Sequence, residues 1–383
     1  EHHDEVHCDH RSEQLCERQV EEPSHLTAGI LQRFAPKGTL TYSRLMSLRT
    51  TLGSAARFGA ASILGRPQLL GLGWSITRIC NARCTFCSRH GGPGGPPTAL
   101  ALGLIDQLAE LGCRRVHFTG GEPLTRSDLP DLLRRVRLRG MTSSVNTNGT
   151  LVAERSDVVR HAGSFLVSVD GPRAIHDQYR GAGAFSRLVT GLGVLARAQK
   201  PILLSVTFFD FNLEQMPFFL ELAQRFGARL VLQPGATHVL GSTEPNPVAP
   251  NVERYRALLA SLLDDPQALG LVWNSARGLR ELARFPEQHR LRTHAGRITA
   301  RLEADGRLFP CSRSVNDPAA LPAPDAFELG MREAFRRLPR IDCSGHVCQC
   351  ANNVEKSLLY ALEPSAWYDA ATRRFAEMRR MAG

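Results

Sequence analysis

The sequence lacks long apolar runs. No stretch of the 383 residues approaches the roughly 18 uninterrupted apolar residues that a membrane-spanning helix needs. The first ten residues, EHHDEVHCDH, are acidic and rich in histidine, whereas a secretory signal is basic and then apolar. An internal repeat is also missing. These absences predict a folded cytoplasmic protein rather than a membrane or secreted one.

A clustered basic stripe is missing as well, although the net charge is +10. Residues 1–22 hold eight acidic residues against Arg11 and Arg18, which leaves a net charge of +16 on the remainder. The arginines are scattered over many helical runs, without the aromatic interleaving of a nucleic-acid-binding module. We therefore expect no nucleic-acid partner, but solvated helix faces together with a phosphate- or carboxylate-binding site.

Short β-rich runs alternate with longer amphipathic runs from residue 73 onward. In the longer runs, apolar residues recur three and four apart, and Gly112, Gly140 and Gly227 close three of them. Six strands, most of them followed by a helix, predict an α/β fold with a parallel sheet and right-handed crossovers. The predicted strands are 74–79, 114–119, 142–147, 165–170, 202–209 and 229–234.

Composition divides the chain into five parts. An acidic segment comes first; it shows no hydrophobic periodicity and is expected to be mobile. A basic amphipathic helical extension follows it and precedes the predicted sheet. A segment that begins rich in Pro, Gly and Asn follows the sheet as a linker with helices, before a distinct C-terminal part. In chain order the parts are 1–38, 39–72, 73–234, 235–293 and 294–383.

Seven of the ten cysteines fall into two tight groups, which favours metal binding over a disulfide framework. Soft thiolates select zinc, copper(I) or iron–sulfur clusters. Of the remaining three, Cys113 is expected to pack in the core, and Cys8 and Cys16 lie in the acidic segment. The first group is Cys80, Cys84 and Cys87, and the second is Cys311, Cys343, Cys348 and Cys350.

Four polar or Gly-rich signatures follow the first four predicted strands in turn: CNARCTFC, GGEP, TNG and VDG. The carboxyl ends of parallel strands gather at one edge of a sheet, so these signatures predict a single site. Zinc is one alternative, since the cysteines of the first signature and His90 would supply three thiolates and an imidazole. A structural zinc, however, needs none of the other three signatures.

The run CNARCTFC resembles the CxxxCxxC loop of the radical S-adenosylmethionine (radical SAM) superfamily, with Phe86 in its aromatic position. The resemblance implies a partial (β/α)6 TIM-like barrel of parallel strands and a 4Fe-4S cluster on Cys80, Cys84 and Cys87. It leaves one iron open to the amino and carboxylate groups of S-adenosylmethionine. Reductive cleavage of that nucleotide would give methionine and a 5′-deoxyadenosyl radical that abstracts hydrogen from a substrate. It also implies an external electron donor of the flavodoxin or ferredoxin type.

Further positions match the same family. Gly120, Gly121, Glu122 and Pro123 look like the motif that receives the methionyl amine. By that resemblance the glycines let backbone carbonyls approach the ammonium, and the glutamate supplies negative charge nearby.

The segment after the fourth strand is similar to the branch of the family that carries extra C-terminal clusters. That similarity places Ser168 against the ribose or carboxylate of the nucleotide and adds Asp170 to the binding residues. It pairs Arg180 with the nucleotide carboxylate, for which a guanidinium fork is suited. A bracing role instead of ligand contact stays open for Asn148, His176 and Asp177.

The C-terminal part resembles the SPASM or shorter twitch extension of that branch. Its run RITARLEADGRLFPC predicts a hairpin around a DG turn, and 306–311 matches the G-x4-C element. The preceding cysteine is absent, and His294 stands roughly in its place. Too few cysteines remain for two clusters, so one auxiliary 4Fe-4S cluster is implied, with His294 or His346 as a possible substitute ligand. The expected ligands are Cys311, Cys343, Cys348 and Cys350, for which tetrahedral zinc is the alternative.

The leading interpretation is therefore a radical SAM enzyme that acts on a peptide or natural-product precursor. A small-molecule or lipid-linked substrate is the first alternative, with 39–72 as a possible peripheral membrane contact. A structural zinc or cluster protein without catalysis is the second. Strand-end candidates for acid, base or hydrogen donor are Asp210, Asn212 and Gln233, which the sequence does not separate from loop residues.

Overall fold

The computed structural model describes most of the chain from residue 67 onward. The described residues are 59, 63, 67–87, 91–238, 244–287, 291, 293–315, 323–339 and 350–368. Several predictions lie outside the described residues: those on 1–38, on most of 39–72, and on His90, Cys343, His346 and Cys348.

Eight strands form one sheet in the order β6-β5-β4-β3-β2-β1-β7-β8. All neighbours pair in parallel except β8, which is antiparallel to β7. All six predicted strands are present, with ends shifted by no more than three residues. The strands are β1 Gly71–Thr77, β2 Arg115–Gly120, β3 Thr142–Thr147, β4 Phe165–Ser168, β5 Ile202–Phe208, β6 Arg229–Pro234, β7 Thr299–Leu302 and β8 Leu308–Phe309.

Helices connect the strands, which confirms the predicted α/β class. Gly112, Gly140 and Gly227 end three helices with positive φ values of 84°, 71° and 60°, as the sequence predicts. The helices are α1 Thr98–Glu110, α2 Leu129–Leu138, α3 Ser156–His161, α4 Arg173–Arg180, α5 Ala184–Arg197, α6 Met216–Arg225, α7 Val252–Leu263, α8 Pro266–Leu271, α9 Ala276–Leu282, α10 Ser312–Val315, α11 Ala326–Arg337 and α12 Ala351–Tyr360. Two 3₁₀ turns, Pro123–Thr125 and Asp210–Gln215, follow β2 and β5.

The two faces of β1 differ in character. Leu72, Trp74 and Ile76 belong to the buried apolar core, and the Trp74 ring stacks on Phe118 with 6.0 Å between centroids. The alternate residues on the opposite face include Gly73, which lines a cavity. A parallel strand covered on both faces usually reads as a continuous apolar run. Small and polar residues on one face therefore mark a polar interior on that side of the sheet.

That interior is a cavity of about 480 Å³, which extends along the strands from Gly71 and Arg115 to Thr119 and Gln233. Helix α12 forms part of its wall, because the Ala351 amide donates to Gln233 Oε1 at 3.3 Å and three further residues of α12 line it.

The C-terminal hairpin joins the same sheet. Strands β7 and β8 form the predicted hairpin, and β7 pairs with β1 in parallel, with Gly71 opposite Thr299. The C-terminal region thus contributes directly to the wall of the cavity. None of the helices in the described ranges is long and apolar enough to cross a bilayer.

Two leucines on α2 offer a matched test of the core. Leu132 is fully buried, whereas Leu138 on the same helix is 72% exposed. Leu132→Ala should lower the free energy of unfolding by about 2–5 kcal/mol, because it removes packed methyl groups and leaves a cavity. Leu138→Ala should change it by less than about 0.5 kcal/mol. Urea unfolding of both variants measures the difference, and equal losses would contradict this placement of the core.

Candidate active site

The four predicted signatures meet at the carboxyl edge of the sheet. Backbone hydrogen bonds join the turn after β2 to the cysteine-containing loop after β1. The Gly121 amide donates to the Thr77 carbonyl at 2.8 Å, and the Glu122 amide donates to the Ile79 carbonyl at 2.9 Å. The GGEP turn therefore packs directly on the chain that leads into Cys80.

Gly120 and Gly121 allow this close approach. A Cβ atom on Gly120 would lie 2.1 Å from the Thr77 carbonyl oxygen, and one on Gly121 would lie 2.2 Å from the Ile79 carbonyl oxygen. Gly120 also has a φ of 135°, which side chains rarely adopt. The glycines thus have a structural role between two backbones, beside the role toward the methionyl ammonium that the family resemblance implies.

The Glu122 carboxylate is buried and connects two strand ends. Its Oε1 accepts hydrogen bonds from the Leu124 amide at 3.0 Å and from Thr147 Oγ1 at 2.8 Å. Its Oε2 accepts from the Asn148 amide at 2.8 Å. Burial raises the pKa of Glu122, and these hydrogen bonds oppose that rise. In this structure the side chain positions the loops after β2 and β3.

Asn148 connects the loop after β3 to the cysteine loop. Its Nδ2 donates to Asn81 Oδ1 at 2.8 Å, and its Oδ1 accepts from Thr150 Oγ1 at 2.7 Å. Asn81 Nδ2 donates to that same hydroxyl at 2.9 Å. These contacts favour the bracing interpretation of Asn148. Asn81 was not among the predicted site residues, because its only signal is an amide between the first two cysteines of the loop.

Cys80, Cys84 and Cys87 lie on this loop and form no disulfide with one another, and the Cys87 amide donates to the Cys84 carbonyl at 3.1 Å. Burial raises the pKa of Cys80, and it raises that of Cys84 to about 11. Within the described ranges, no three His, Cys, Asp or Glu side chains are arranged to hold a single metal ion. The fit of an iron–sulfur cluster therefore depends on donor chemistry: three neighbouring thiols with no disulfide among them.

Arg180 lies beside the cysteine loop in a bidentate ion pair. Its Nε and Nη2 donate to the two carboxylate oxygens of Asp170, the second at 3.0 Å. Its guanidinium carbon is 5.6 Å from the centroid of the Phe86 ring. Burial would lower the pKa of Arg180, but the Asp170 carboxylate outweighs this and raises it. The guanidinium is therefore a fixed positive charge next to the thiols.

His176 and Asp177 brace this arrangement. The Asp170 amide donates to His176 Nδ1 at 3.3 Å, and burial lowers the pKa of His176 to about 4, so the ring is neutral at pH 7. The Asp177 carboxylate accepts from the amides of Gly183 at 3.1 Å and Phe185 at 2.7 Å. His176 thus holds the turn between β4 and α4, and Asp177 holds the turn between α4 and α5. These contacts favour bracing over ligand contact for both residues.

An aromatic cluster forms one side of the site. Phe86 lies 4.8 Å from Phe209 between ring centroids, and Tyr179 stacks on Phe211 at 3.8 Å. Of these rings, only Phe86 was predicted from a motif. The other rings come from α4 and from the chain after β5, so their proximity depends on tertiary structure.

The strand-end candidates separate into different roles. Asp210 is exposed and pairs with Arg254 at 3.2 Å. Asn212 is buried, and its Nδ2 donates to the carbonyls of Asp170 and Thr207 at 3.0 and 3.1 Å. Gln233 lines the cavity. Ser168, at the end of β4, lies on the same strand face as Leu166, which also lines the cavity.

Two of the predicted auxiliary ligands, Cys311 and Cys350, line the same cavity. His294 is buried; its Nδ1 lies 3.0 Å from Ser357 Oγ, and its Nε2 has no hydrogen-bond partner among the residues that the structure describes. Burial holds the pKa of His294 well below its ordinary value. Cys113 is buried in the core, as predicted.

Comparison with known proteins agrees with this geometry. Residues 74–223 match the family model described as the Radical SAM superfamily. This match covers 150 of the 383 residues.

Curated relatives of different activities match the same region. The chain is similar to an AdoMet-dependent heme synthase from Oleidesulfovibrio alaskensis, with 34% identity over 43% of this chain and 45% of that protein. It is also similar to a PqqA peptide cyclase from Granulibacter bethesdensis, with 31% identity over 42% of this chain and 45% of that protein. The matched segment thus spans just under half the length of these relatives.

A solved structure shares the fold over more of the chain. The crystal structure of SuiB from Streptococcus suis bound to precursor peptide SuiA has a TM-score of 0.59 and 14% sequence identity. The similarity covers 85% of this chain and 75% of that one. The shared fold therefore extends beyond the family-model match.

The contact at Gly121 gives a direct test of the site. Gly121→Ala should displace the cysteine loop, because a Cβ there would lie 2.2 Å from the Ile79 carbonyl oxygen. We expect a lower iron content per chain after anaerobic reconstitution, because the displaced thiols would no longer lie in this arrangement. Gly103→Ala on α1 is the control, since a Cβ at Gly103 would meet no heavy atom of the described residues within 4 Å. Wild-type iron content in Gly121→Ala would contradict this placement of the loop.

Proposed function

We propose that the protein is a radical SAM enzyme whose Cys80, Cys84 and Cys87 hold a 4Fe-4S cluster. When bound, the cluster would supply the electron that cleaves S-adenosylmethionine to methionine and a 5′-deoxyadenosyl radical, which then abstracts hydrogen from the substrate. One observation carries this proposal: three cysteines lie close together on a loop to which the GGEP turn is bonded through its backbone. A structural zinc site has no need of that arrangement.

The chain's own residues divide into contact and positioning roles in this proposal. Arg180 and Ser168 would face the nucleotide, and the Asp170 carboxylate would keep the guanidinium in place. Glu122 and Asn148 act by positioning, because their polar groups already bond to neighbouring loops. Gly120, Gly121 and Pro123 would give the nucleotide access to the turn, while Phe86 would cover one side of it.

We propose a peptide or natural-product precursor as the substrate. Similarity to a peptide cyclase and to the fold of an enzyme solved with its precursor peptide supports this choice. A tetrapyrrole is the second candidate, since one relative is a heme synthase. The cavity inside the sheet is lined by three arginines and a lysine, so it also suits a substrate that carries acid groups.

The proposal includes one auxiliary 4Fe-4S cluster in a SPASM- or twitch-like C-terminal region. Cys311 and Cys350 already line one cavity, and His294 offers an unpartnered buried Nε2 as a further donor. An external flavodoxin- or ferredoxin-type donor would supply electrons, and we place the reaction in the cytoplasm. The expected ligands are Cys311, Cys343, Cys348 and Cys350.

Removal of the loop thiols tests the proposed function. Replacement of Cys80, Cys84 and Cys87 together by Ala should abolish formation of 5′-deoxyadenosine from S-adenosylmethionine and dithionite, because the open iron site is lost. It should also remove about four iron atoms per chain from the anaerobically reconstituted protein. Cys113→Ala is the matched control, as that thiol packs in the core. A colourless wild-type protein that contains zinc and forms no 5′-deoxyadenosine would instead identify a structural metal protein.

A further inference from the structure

The cavity inside the sheet has an unbalanced charge. Among the described residues that line it are four cationic side chains and no carboxylate. Low-dielectric walls with charges of one sign concentrate ions of the other sign. The cavity is therefore suited to an anion. The four cationic residues are Arg114, Arg115, Arg301 and Lys356.

Arg301 and Lys356 differ in the contacts that their charged groups already make. Arg301 Nε lies 2.8 Å from Glu303 Oε1, and its Nη2 donates to Ser75 Oγ at 2.7 Å. Lys356 is half-buried and makes no hydrogen bond or ion pair with any described residue. An ammonium group that has lost part of its hydration without gaining a partner is costly. A bound anion would therefore offset the cost of desolvating the Lys356 ammonium.

Lysine is rare in this chain, which makes the position more informative. The sequence contains three lysines, Lys37, Lys200 and Lys356, against 44 arginines. Lys200 has an evident structural role, because its Nζ donates to the carbonyls of Arg160 and Ala162 at 3.3 and 3.0 Å. Lys356 has no such backbone acceptors. It lies one turn after Asn353 on α12, and both residues line the cavity.

The part of the cavity wall formed by β2 and β3 adds neutral hydrogen-bonding side chains. His117 Nδ1 lies 2.7 Å from Ser144 Oγ, and burial lowers the pKa of His117 to about 3, so its ring is neutral at pH 7. Thr119 lies on the same strand four residues after Arg115, which at the rise of a β-strand places it roughly 13 Å from Arg115. A ligand whose anionic group lies near Lys356 would therefore extend along the strand toward the carboxyl edge.

Cys350 is the competing partner for Lys356. Burial lowers the pKa of Lys356, and the Cys350 thiol opposes this. A thiolate or a cluster at Cys350 would attract the same ammonium. The experiment below therefore uses the cluster-reconstituted full chain, in which such a pairing would already be present.

We propose that the cavity binds a carboxylate of the substrate and that Lys356 pairs with it. This inference rests on the proposed function, since it names the chemical class of substrate for the same site. A carboxylate is the anion that the peptide and tetrapyrrole candidates share. The ammonium and the Asn353 amide both supply hydrogen-bond donors, which a carboxylate can accept at each of its oxygens.

Amine acetylation by an N-hydroxysuccinimide ester tests the pairing without S-adenosylmethionine chemistry. Citrate at a concentration of several times its Kd should slow acetylation of Lys356 at least about fivefold. The reference rate is measured in sodium chloride of equal ionic strength. Lys200 is the internal control and should be unaffected. Peptide mapping by mass spectrometry resolves the two lysines. Coproporphyrin III and a short glutamate-rich peptide, used as separate competitors, distinguish a tetrapyrrole from a peptide source of the carboxylate.

Three results would overturn the proposal: equal slowing at both lysines, protection by phosphate but not by citrate, or an unreactive Lys356 before any anion is added. The last result would assign the ammonium to the auxiliary centre. Calorimetric titration with citrate gives a second readout, in which Lys356→Met should abolish binding while Lys356→Arg and Lys200→Met retain it. Formation of 5′-deoxyadenosine does not enter either measurement, so their failure would leave the proposed function standing.

Discussion

The buried carboxylate of Glu122 connects the strand ends on which the candidate active site depends. A carboxylate removed from water costs several kcal/mol unless hydrogen bonds replace its hydration. Here the Thr147 hydroxyl and the Asn148 amide supply bonds from the next strand end. Gly120 and Gly121 let the same turn pack against the chain before Cys80. The protein backbone therefore contributes to positioning the thiol loop.

Two chemically distinct regions adjoin this framework. The carboxyl edge holds three cysteines, a fixed guanidinium at Arg180 and an aromatic wall. The interior of the sheet is polar and carries cations without carboxylates among its described lining residues. In the proposed function, the edge generates the radical and the interior orients the substrate. Lys356 would fix one end of that substrate while the other end reaches the carboxyl edge.

Local patterns in the sequence were sufficient to predict the strands, the helix ends and the C-terminal hairpin. Helix-closing glycines such as Gly112 carry their own signal, because a positive φ is inexpensive only for glycine. Family resemblance, rather than periodicity, supplied the proposed cluster and nucleotide. The contacts of Asn81 and the placement of Lys356 on the cavity wall join residues far apart in sequence, which no local pattern encodes. Alternating polar residues such as His117 and Thr119 on β2 line the cavity, but no polar interior was predicted from them.

The most direct test of the central claim is electron paramagnetic resonance of the reduced, reconstituted protein before and after addition of S-adenosylmethionine. A Cys311→Ala/Cys350→Ala background would isolate the centre on the loop after β1. We expect the nucleotide to change the signal of this centre, because one iron of a 4Fe-4S cluster held by three cysteines would lack a protein ligand. An unchanged signal in protein with a full complement of iron would contradict the account.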